Sequence, residues 1–436
     1  MIKKIKMPKQ AGWLVPGLQV KRWFALILVG AVLMTVGILI LFDLQPIYNT
    51  MKFIQNVATK ISTEWLAFGI VMIGAAIFFK GWQKTNLSIM DIDEDKNNDV
   101  LLENLYKRRK LNRGPRIVAV GGGTGLSMLL SGAKNITNNL TAIVSVGDDG
   151  GSSGRLREEM GILPPGDIRH CITALADDED LVNKLFKYRF KNGEGLEGHS
   201  FGNLFLTALY DITGDMVSAV RASSRVLSIR VLPATLDDMK LVAEMEDGRI
   251  VHGESTIPEA HGRIKRLFTE PANCKALEDV IQAIRNAELI ILGPGSLYTS
   301  VIPNLLVKQI SEEIIKSKAR KIYVCNIMTQ PGETDNYTVS DHLKALIQHS
   351  GSNKIVDAVL VNDYLPEKLA DIYQKSGSYP VKLDTQEVKK LGIKIVAKKL
   401  IQDSKEGLVR HSSNRVARAV YYWFRKEQKK SAGFLK

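Results

Sequence analysis

The sequence predicts an α/β protein with a doubly wound, mostly parallel sheet of the Rossmann-like kind, preceded by two transmembrane helices. Three observations carry this expectation. From Arg116 onward, short apolar runs alternate with segments of helix length. The runs are followed by loops rich in glycine and hydroxyl residues. Ahead of residue 83 stand two apolar stretches, the first without a charge. The 436 residues are 45% hydrophobic and 24% charged, close to a globular average, which excludes a disordered chain, a collagen and a coiled coil. Cys171, Cys274 and Cys325 form no disulfide framework and lack the CxxC spacing of a zinc site.

The first apolar stretch runs from Trp23 to Phe42, a helix of about 30 Å and so about the thickness of a bilayer core. The second runs from Trp65 to Phe79, with Lys80, Gly81 and Trp82 behind it. Trp23, Trp65 and Trp82 suit interfacial positions. Lys3, Lys4, Lys6, Lys9, Lys21 and Arg22 precede the first stretch, and Lys107-Arg108-Arg109-Lys110 follows the second. Cation bias then predicts a hairpin over residues 1–82 in the cell membrane, with both termini and the main domain cytoplasmic. Residues 83–115 read as a linker and 116–436 as the nucleotide-binding domain. The net charge of +13 lies mainly before residue 116, which argues against a nucleic-acid-binding face on the main domain.

Within that domain the strand candidates are Ile117–Val120, Ala142–Val146, Leu289–Leu292, Lys321–Cys325 and Val356–Val361. Continuous apolar runs of this length suit strands buried on both faces of a parallel sheet. Leu126–Lys134, Leu277–Asn286 and Leu305–Ser317 read as the helices between them. Lys240–Val251, with Glu246-Asp247-Gly248-Arg249 in its middle, reads as a β-hairpin. The basic, aromatic segment Asn414–Lys430 reads as a helix packed on the domain.

Ligands of such folds bind beyond the carboxyl ends of the strands, so the loops there are the candidate site. Gly121, Gly122, Gly123, Thr124 and Gly125 follow the first strand, where glycine N–H groups and a helix N-terminus favour phosphate. The stretch is neither a Walker loop nor a complete GxGxxG, since Leu126 takes the last glycine position. That counts against a dehydrogenase. Asp148 and Asp149 follow the second strand. Carboxylates there hold ribose hydroxyls, bind Mg²⁺, act as a base, or merely cap a helix. Ser152, Ser153, Gly154 and Arg155 add donors and a cation for an anionic ligand. Gly150–Gly154 fits GxSxG formally, but two acids directly upstream argue against a nucleophile elbow. Asp167 and Arg169 lie on a Pro-Pro-Gly turn, Asp167 as a cap or ligand and Arg169 in reach of a phosphate. His199 and Asn203 open a further helix. Gly293, Gly295, Ser296 and Tyr298 follow the third run, and Asn326 and Thr329 the fourth.

In these loops the chain resembles the YvcK proteins of the CofD-like superfamily. The resemblance rests on Gly121-Gly-Gly-Thr-Gly-Leu-Ser, Val146-Gly-Asp-Asp-Gly-Gly-Ser-Ser-Gly-Arg-Leu-Arg, Leu163-Pro-Pro-Gly-Asp-Ile-Arg, Gly198-His-Ser-Phe-Gly-Asn-Leu, Gly293-Pro-Gly-Ser-Leu-Tyr-Thr-Ser and Asn326-Ile-Met-Thr-Gln-Pro-Gly-Glu-Thr-Asp. It implies a regulatory protein that binds a nucleotide sugar such as UDP-N-acetylglucosamine and affects cell shape, wall synthesis and gluconeogenic growth. That reading needs no cofactor. The superfamily's other branch implies a 2-phospho-L-lactate transferase, which moves a phospho-acyl group from a nucleotide diphosphate donor with Mg²⁺. By the resemblance, Asp148 and Asp149 take the metal or acceptor role, and Asn203, Ser296 and Tyr298 fall in the cleft. The expected partners are therefore a nucleotide diphosphate or nucleotide sugar, the membrane and a further copy of the chain. The two spans stand as a departure from the family.

Overall fold

The computed structural model describes residues 110–175, 180–227, 230–364, 377–401 and 411–433, with the helix Gln45–Ala58 and nine scattered positions before residue 81. The chain divides into two units, Met1–Arg109 and Lys110–Lys436.

In the first unit the described element is the helix Gln45–Ala58, with Ile47, Tyr48, Met51 and Phe53 exposed along it. This corrects the membrane expectation. Among the described residues no helix is long and apolar enough to cross a membrane. Fourteen residues span about 21 Å, and Asn49, Lys52, Gln55 and Asn56 make this helix too polar as well as too short. The stretches Trp23–Phe42 and Trp65–Trp82 lie mostly outside the described residues.

The second unit carries ten strands: β1 Ile117–Gly121, β2 Leu140–Val144, β3 Arg230–Pro233, β4 Lys240–Met245, β5 Ile250–His252, β6 Ile264–Glu270, β7 Leu289–Leu292, β8 Arg320–Val324, β9 Ala358–Asn362 and β10 Lys394–Lys398. Seven of them form one sheet in the order β10-β9-β8-β7-β1-β2-β3, every neighbouring pair parallel. The central strands are buried throughout, as their Ile/Val/Leu content requires of a sheet covered on both faces. At one edge β10, Lys-Ile-Val-Ala-Lys, is half exposed and ends in lysine, a charge pattern that discourages further pairing.

The other three strands form a separate antiparallel sheet in the order β5-β4-β6. The fold is therefore α/β with both parallel and antiparallel sheets, a correction to the expected fold class in two respects. No transmembrane helices precede the domain among the described residues, and the predicted hairpin is completed by β6. That strand pairs with β4 from Lys240↔Glu270 to Met245↔Ile264, with a register shift at Glu244/Met245. The shift breaks the period-two alternation that would have exposed β6 to sequence reading.

The helix Ser413–Gly433 packs on the helix Gly123–Ala133. It buries Val416, Ala417, Val420 and Phe424. The loops after β1, β2, β7 and β8 lie at the carboxyl ends of the parallel strands. Ser145 N–H bonds Gly121 O and Gly293 N–H bonds Val120 O, so the loops after β2 and β7 leave the sheet beside the glycine loop.

Candidate functional site

The glycine loop leads from β1 into the helix Gly123–Ala133. Gly123 sits at φ +57°, a left-handed conformation that suits glycine. A Cβ on Gly125 would stand 2.7 Å from the Gly295 Cα, so glycine alone lets the β7 loop close against it. Asn304 Nδ2 donates to Gly121 O at 3.1 Å and fixes the end of β1.

A carboxylate of the chain itself occupies the positive end of this helix. Asp167 lies in the first turn of the helix Pro165–Leu175. It accepts the Gly123 N–H and lies so close to Gly122 that a Cβ there would collide with its oxygen. The expected phosphate cradle is thus already occupied by a carboxyl group of the chain.

Two further acids share this place. Asp148 accepts the Gly150 N–H at 3.0 Å and the Ser153 hydroxyl. Glu254 enters from the segment after β5 and meets the Thr299 hydroxyl. Burial, and then the charge of Asp148, pushes the Asp167 carboxyl up to about 7. Burial, Asp148 and Asp167 together push Glu254 up to about 8. Asp148 is raised as well, mainly by burial. Asp167 and Glu254, from distant segments, therefore hold protons near neutrality, because like charges in a desolvated site cannot all ionise.

Asp149 has different work. Its two oxygens accept the backbone N–H groups of Glu254 and Ser255, each at 2.9 Å. It clasps the small sheet's loop and seats Glu254, which leaves it ill placed to hold a ribose. A divalent cation fits the site only in part. Among the described residues no three His, Cys, Asp or Glu converge as a metal cage. Mg²⁺, however, is commonly held by one or two carboxylates with substrate phosphates, and Asp148 fits that role better than Asp149.

A second rim lies across the loop. Ser152 Oγ is 3.0 Å from His199 Nδ1 and accepts from Asn203 Nδ2 at 3.0 Å; all three are buried. Burial keeps His199 below its ordinary pKa, and Arg155 adds to this. Arg155 itself donates to Glu197 O. Gly154 presses on the Asp149 backbone carbonyl, and Arg169 is buried at 4% exposure.

The remaining predicted residues are tied to one another. Gly295 and Asn326 bond reciprocally, at 3.4 and 2.9 Å. Ser296 accepts from Gln330. The Tyr298 hydroxyl meets that of Tyr337 at 2.8 Å, and burial raises its pKa. Thr329 pairs with Tyr379 through backbone and hydroxyl. Buried Glu333 accepts the Tyr298 N–H and the Thr299 hydroxyl, and burial pushes it up to about 7. The structure thus brings Gly121–Gly125, Asp148 and Asp167 to one point and uses Asn326, Thr329 and Tyr298 to shape the wall behind it. Sequence reasoning missed Glu254, Glu333 and Arg189. The one local signal for Glu254 is its place after Gly253, whose φ is +101°.

Comparison with known proteins identifies relatives of this chain. The profile of the family described as 2-phospho-L-lactate transferase CofD matches residues 117–401. The Gluconeogenesis factor of Bacillus subtilis is 51% identical over 310 residues, 70% of this chain and 97% of its own. A Nostoc sp. relative is 48% identical over 419 residues, 94% of this chain and 92% of its own. Most of the segment before residue 110 is thus shared with a relative, which corrects its reading as a departure from the family. A crystal structure of a Bacillus halodurans protein superposes with a TM-score of 0.69 at 47% identity, covering 71% of this chain and all of that one.

The membrane-tethered nucleotide-sugar regulator expected from the sequence is corrected here too, together with its membrane localisation and its nucleotide or nucleotide-sugar partner. No described helix crosses a membrane. The glycine loop's N–H is taken by Asp167, and the matched profile is that of a transferase family. On these matches and this site, the chain belongs to the gluconeogenesis-factor (YvcK) family of the CofD superfamily.

Proposed function

We propose that the chain is a group-transfer enzyme of the 2-phospho-L-lactate transferase kind, acting on a diphosphate-linked phospho-acyl donor and a hydroxyl acceptor. The observation that carries this reading is the cluster Asp148, Asp167 and Glu254 around the glycine loop, where Asp167 and Glu254 are pushed up to about 7 and about 8 and Asp148 is raised by burial. A base poised near the working pH is what proton removal from a hydroxyl needs.

In the reaction the acceptor oxygen attacks the phosphorus of the phospho-acyl group. A new P–O bond forms, the P–O bond of the diphosphate link breaks, and the leaving phosphate departs with that bond's electron pair. The acceptor's proton passes to Glu254 in its ionised form, which prevails as pH rises through about 8. Asp167 holds a proton at the mouth of the loop, where it can donate to a phosphate oxygen. The loops after β7 and β8 wall the site from water. A bound Mg²⁺, held through Asp148, would neutralise phosphate charge.

The test is ³¹P NMR of the full chain with Mg²⁺, a diphosphate ester of 2-phospho-L-lactate and a hydroxyl acceptor. Transfer should appear as a new phosphodiester signal. Asp148→Asn and Glu254→Gln should each slow it by about 100-fold or more. No transfer by the wild-type chain across a panel of acceptors sinks the proposal.

A further inference from the structure

Arg169 is the most deeply buried cation near the site, at 4% exposure. Its Nη1 donates weakly to Phe186 O at 3.4 Å and its Nη2 lies 2.7 Å from His170 Nε2. Its Nε has no partner. Among the described residues it forms no ion pair, although Asp167 and Asp148 lie near enough to favour its charge. Burial, then the charge of Arg189, lowers its pKa to about 10. His170 is held down to about 4, so it is neutral and accepts the guanidinium proton.

A buried guanidinium left without an anion is costly. Its surroundings add to the positive field. Arg189 donates to Gly198 O, and Arg155 reaches the same loop within 3.0 Å of where a Gly198 Cβ would stand. Both arginines bear electrostatically on His199. Gly202 packs directly on the Arg169 stem, which sets that side chain against the start of the helix Phe201–Thr213. The helix Gly151–Met160 begins beside it, joined through Ser152 and Asn203. Two positive helix ends therefore meet here. Asn203 is 2% exposed, and its Oδ1 has no partner. A buried orphan acceptor asks for a donor, as the buried orphan Nε of Arg169 asks for an acceptor.

We propose that Arg155, Arg169, Arg189 and Asn203 form an oxyanion subsite, separate from the glycine loop, that takes the phosphate or carboxylate of a small hydroxy compound. The oxyanion lies on the arginines and the two helix starts, and the compound's hydroxyl donates to Asn203 Oδ1. The inference deepens the transferase reading and rests on it for the identity of the ligand as substrate. It adds where the substrate's anionic group is gripped, apart from the glycine loop.

Calorimetric titration of the full chain with inorganic phosphate, and separately with L-lactate, at constant ionic strength in chloride tests it. One saturable site is expected for at least one of the two anions, and which one binds says whether the site prefers phosphate or carboxylate. Arg189→Ala and Arg169→Lys should each weaken binding about tenfold or more, and Asn203→Asp should abolish it by repulsion. Thr124→Val, in the glycine loop, should leave it within a factor of about two. Should Arg169→Lys lose its circular dichroism, the exposed Arg189 decides. Binding that survives both arginine changes but vanishes in Thr124→Val overturns the proposal, as does no saturable binding of either anion. Arginine-dependent binding without any turnover would count against the transferase reading alone.

Discussion

Asp148 and Asp149 are neighbours in sequence with separate employment. Asp148 faces the acid cluster, while Asp149 spends both oxygens on the backbone of Glu254 and Ser255. Asp149→Ala should therefore cost about 2–3 kcal/mol of stability, since it strands two backbone donors of a charged hydrogen bond. Urea denaturation reads this directly. Asp148→Asn should leave the urea midpoint unchanged or higher, because burial first, and also the charge of Asp149, disfavour a carboxylate there. The cluster also sets a pH dependence. Asp167 moves from its ordinary 3.8 to about 7, and Glu254 from 4.5 to about 8. Folded carboxyls raised in this way bind protons better than unfolded ones. Their contribution to stability is full below about pH 4 and is lost as pH rises through 7 to 8. The melting temperature should fall between about pH 5 and pH 8 and level off above, and Asp167→Asn should flatten that fall. A melting temperature of the wild-type chain that rises over this window would contradict the cluster. At this scale the glycines and Asp148 were legible because loop chemistry is local. Glu254 was not, since its role depends on a contact 105 residues away.

Among the elements, β1 and β7 announce themselves as unbroken apolar runs, and the structure places them side by side. β3 is four residues long and β10 is half exposed, so neither offers a periodic signal above that of a loop. The segment Leu305–Ser317 reads as one helix. It breaks at Val307, which leaves the helical region at ψ 95°, and becomes Ile302–Leu306 and Lys308–Lys316. Close approach of loops carries its own prediction. Gly125→Ala would drive a methyl into Pro294 and Gly295, backbone atoms that cannot swing aside, and should cost about 1–3 kcal/mol by urea denaturation. The small sheet has a pin of its own. His349 Nε2 accepts the Leu267 N–H at 2.9 Å while its Nδ1 donates to Ala345 O. His349→Ala should leave that amide unsatisfied and loosen β6, seen as faster proteolysis between residues 240 and 270 with the parallel sheet intact.

For the molecule as a whole, the unit Lys110–Lys436 holds one main core, with a small satellite cluster of Ile327, Met328 and Ile401. That core runs from Ile117 to Phe424. A chain of residues 110–436 should therefore unfold in a single cooperative transition and retain arginine-dependent anion binding. Two separated transitions, or a chain without near-ultraviolet dichroism, would show that the first unit is needed. The family was readable at this scale because six loop motifs recur in one order. The membrane expectation was misled by a charge-free run, which fixes neither the ends of a helix nor what packs around it. The helix between the two runs, Gln45–Ala58, is polar and short.

The segment that bears Glu254 belongs to the antiparallel sheet, while Asp148 and Asp167 belong to loops of the parallel one. Their meeting has a kinetic consequence. Contacts between residues so far apart along the chain are entropically slow to close, so the carboxyls of the proposed site should be assembled late. During refolding from urea, helical dichroism should return ahead of any activity, with the lag set by docking of the 240–270 segment. A chain caught midway would be compact, rich in secondary structure and chemically silent. The acids of the site would then guard against premature chemistry on a half-made protein.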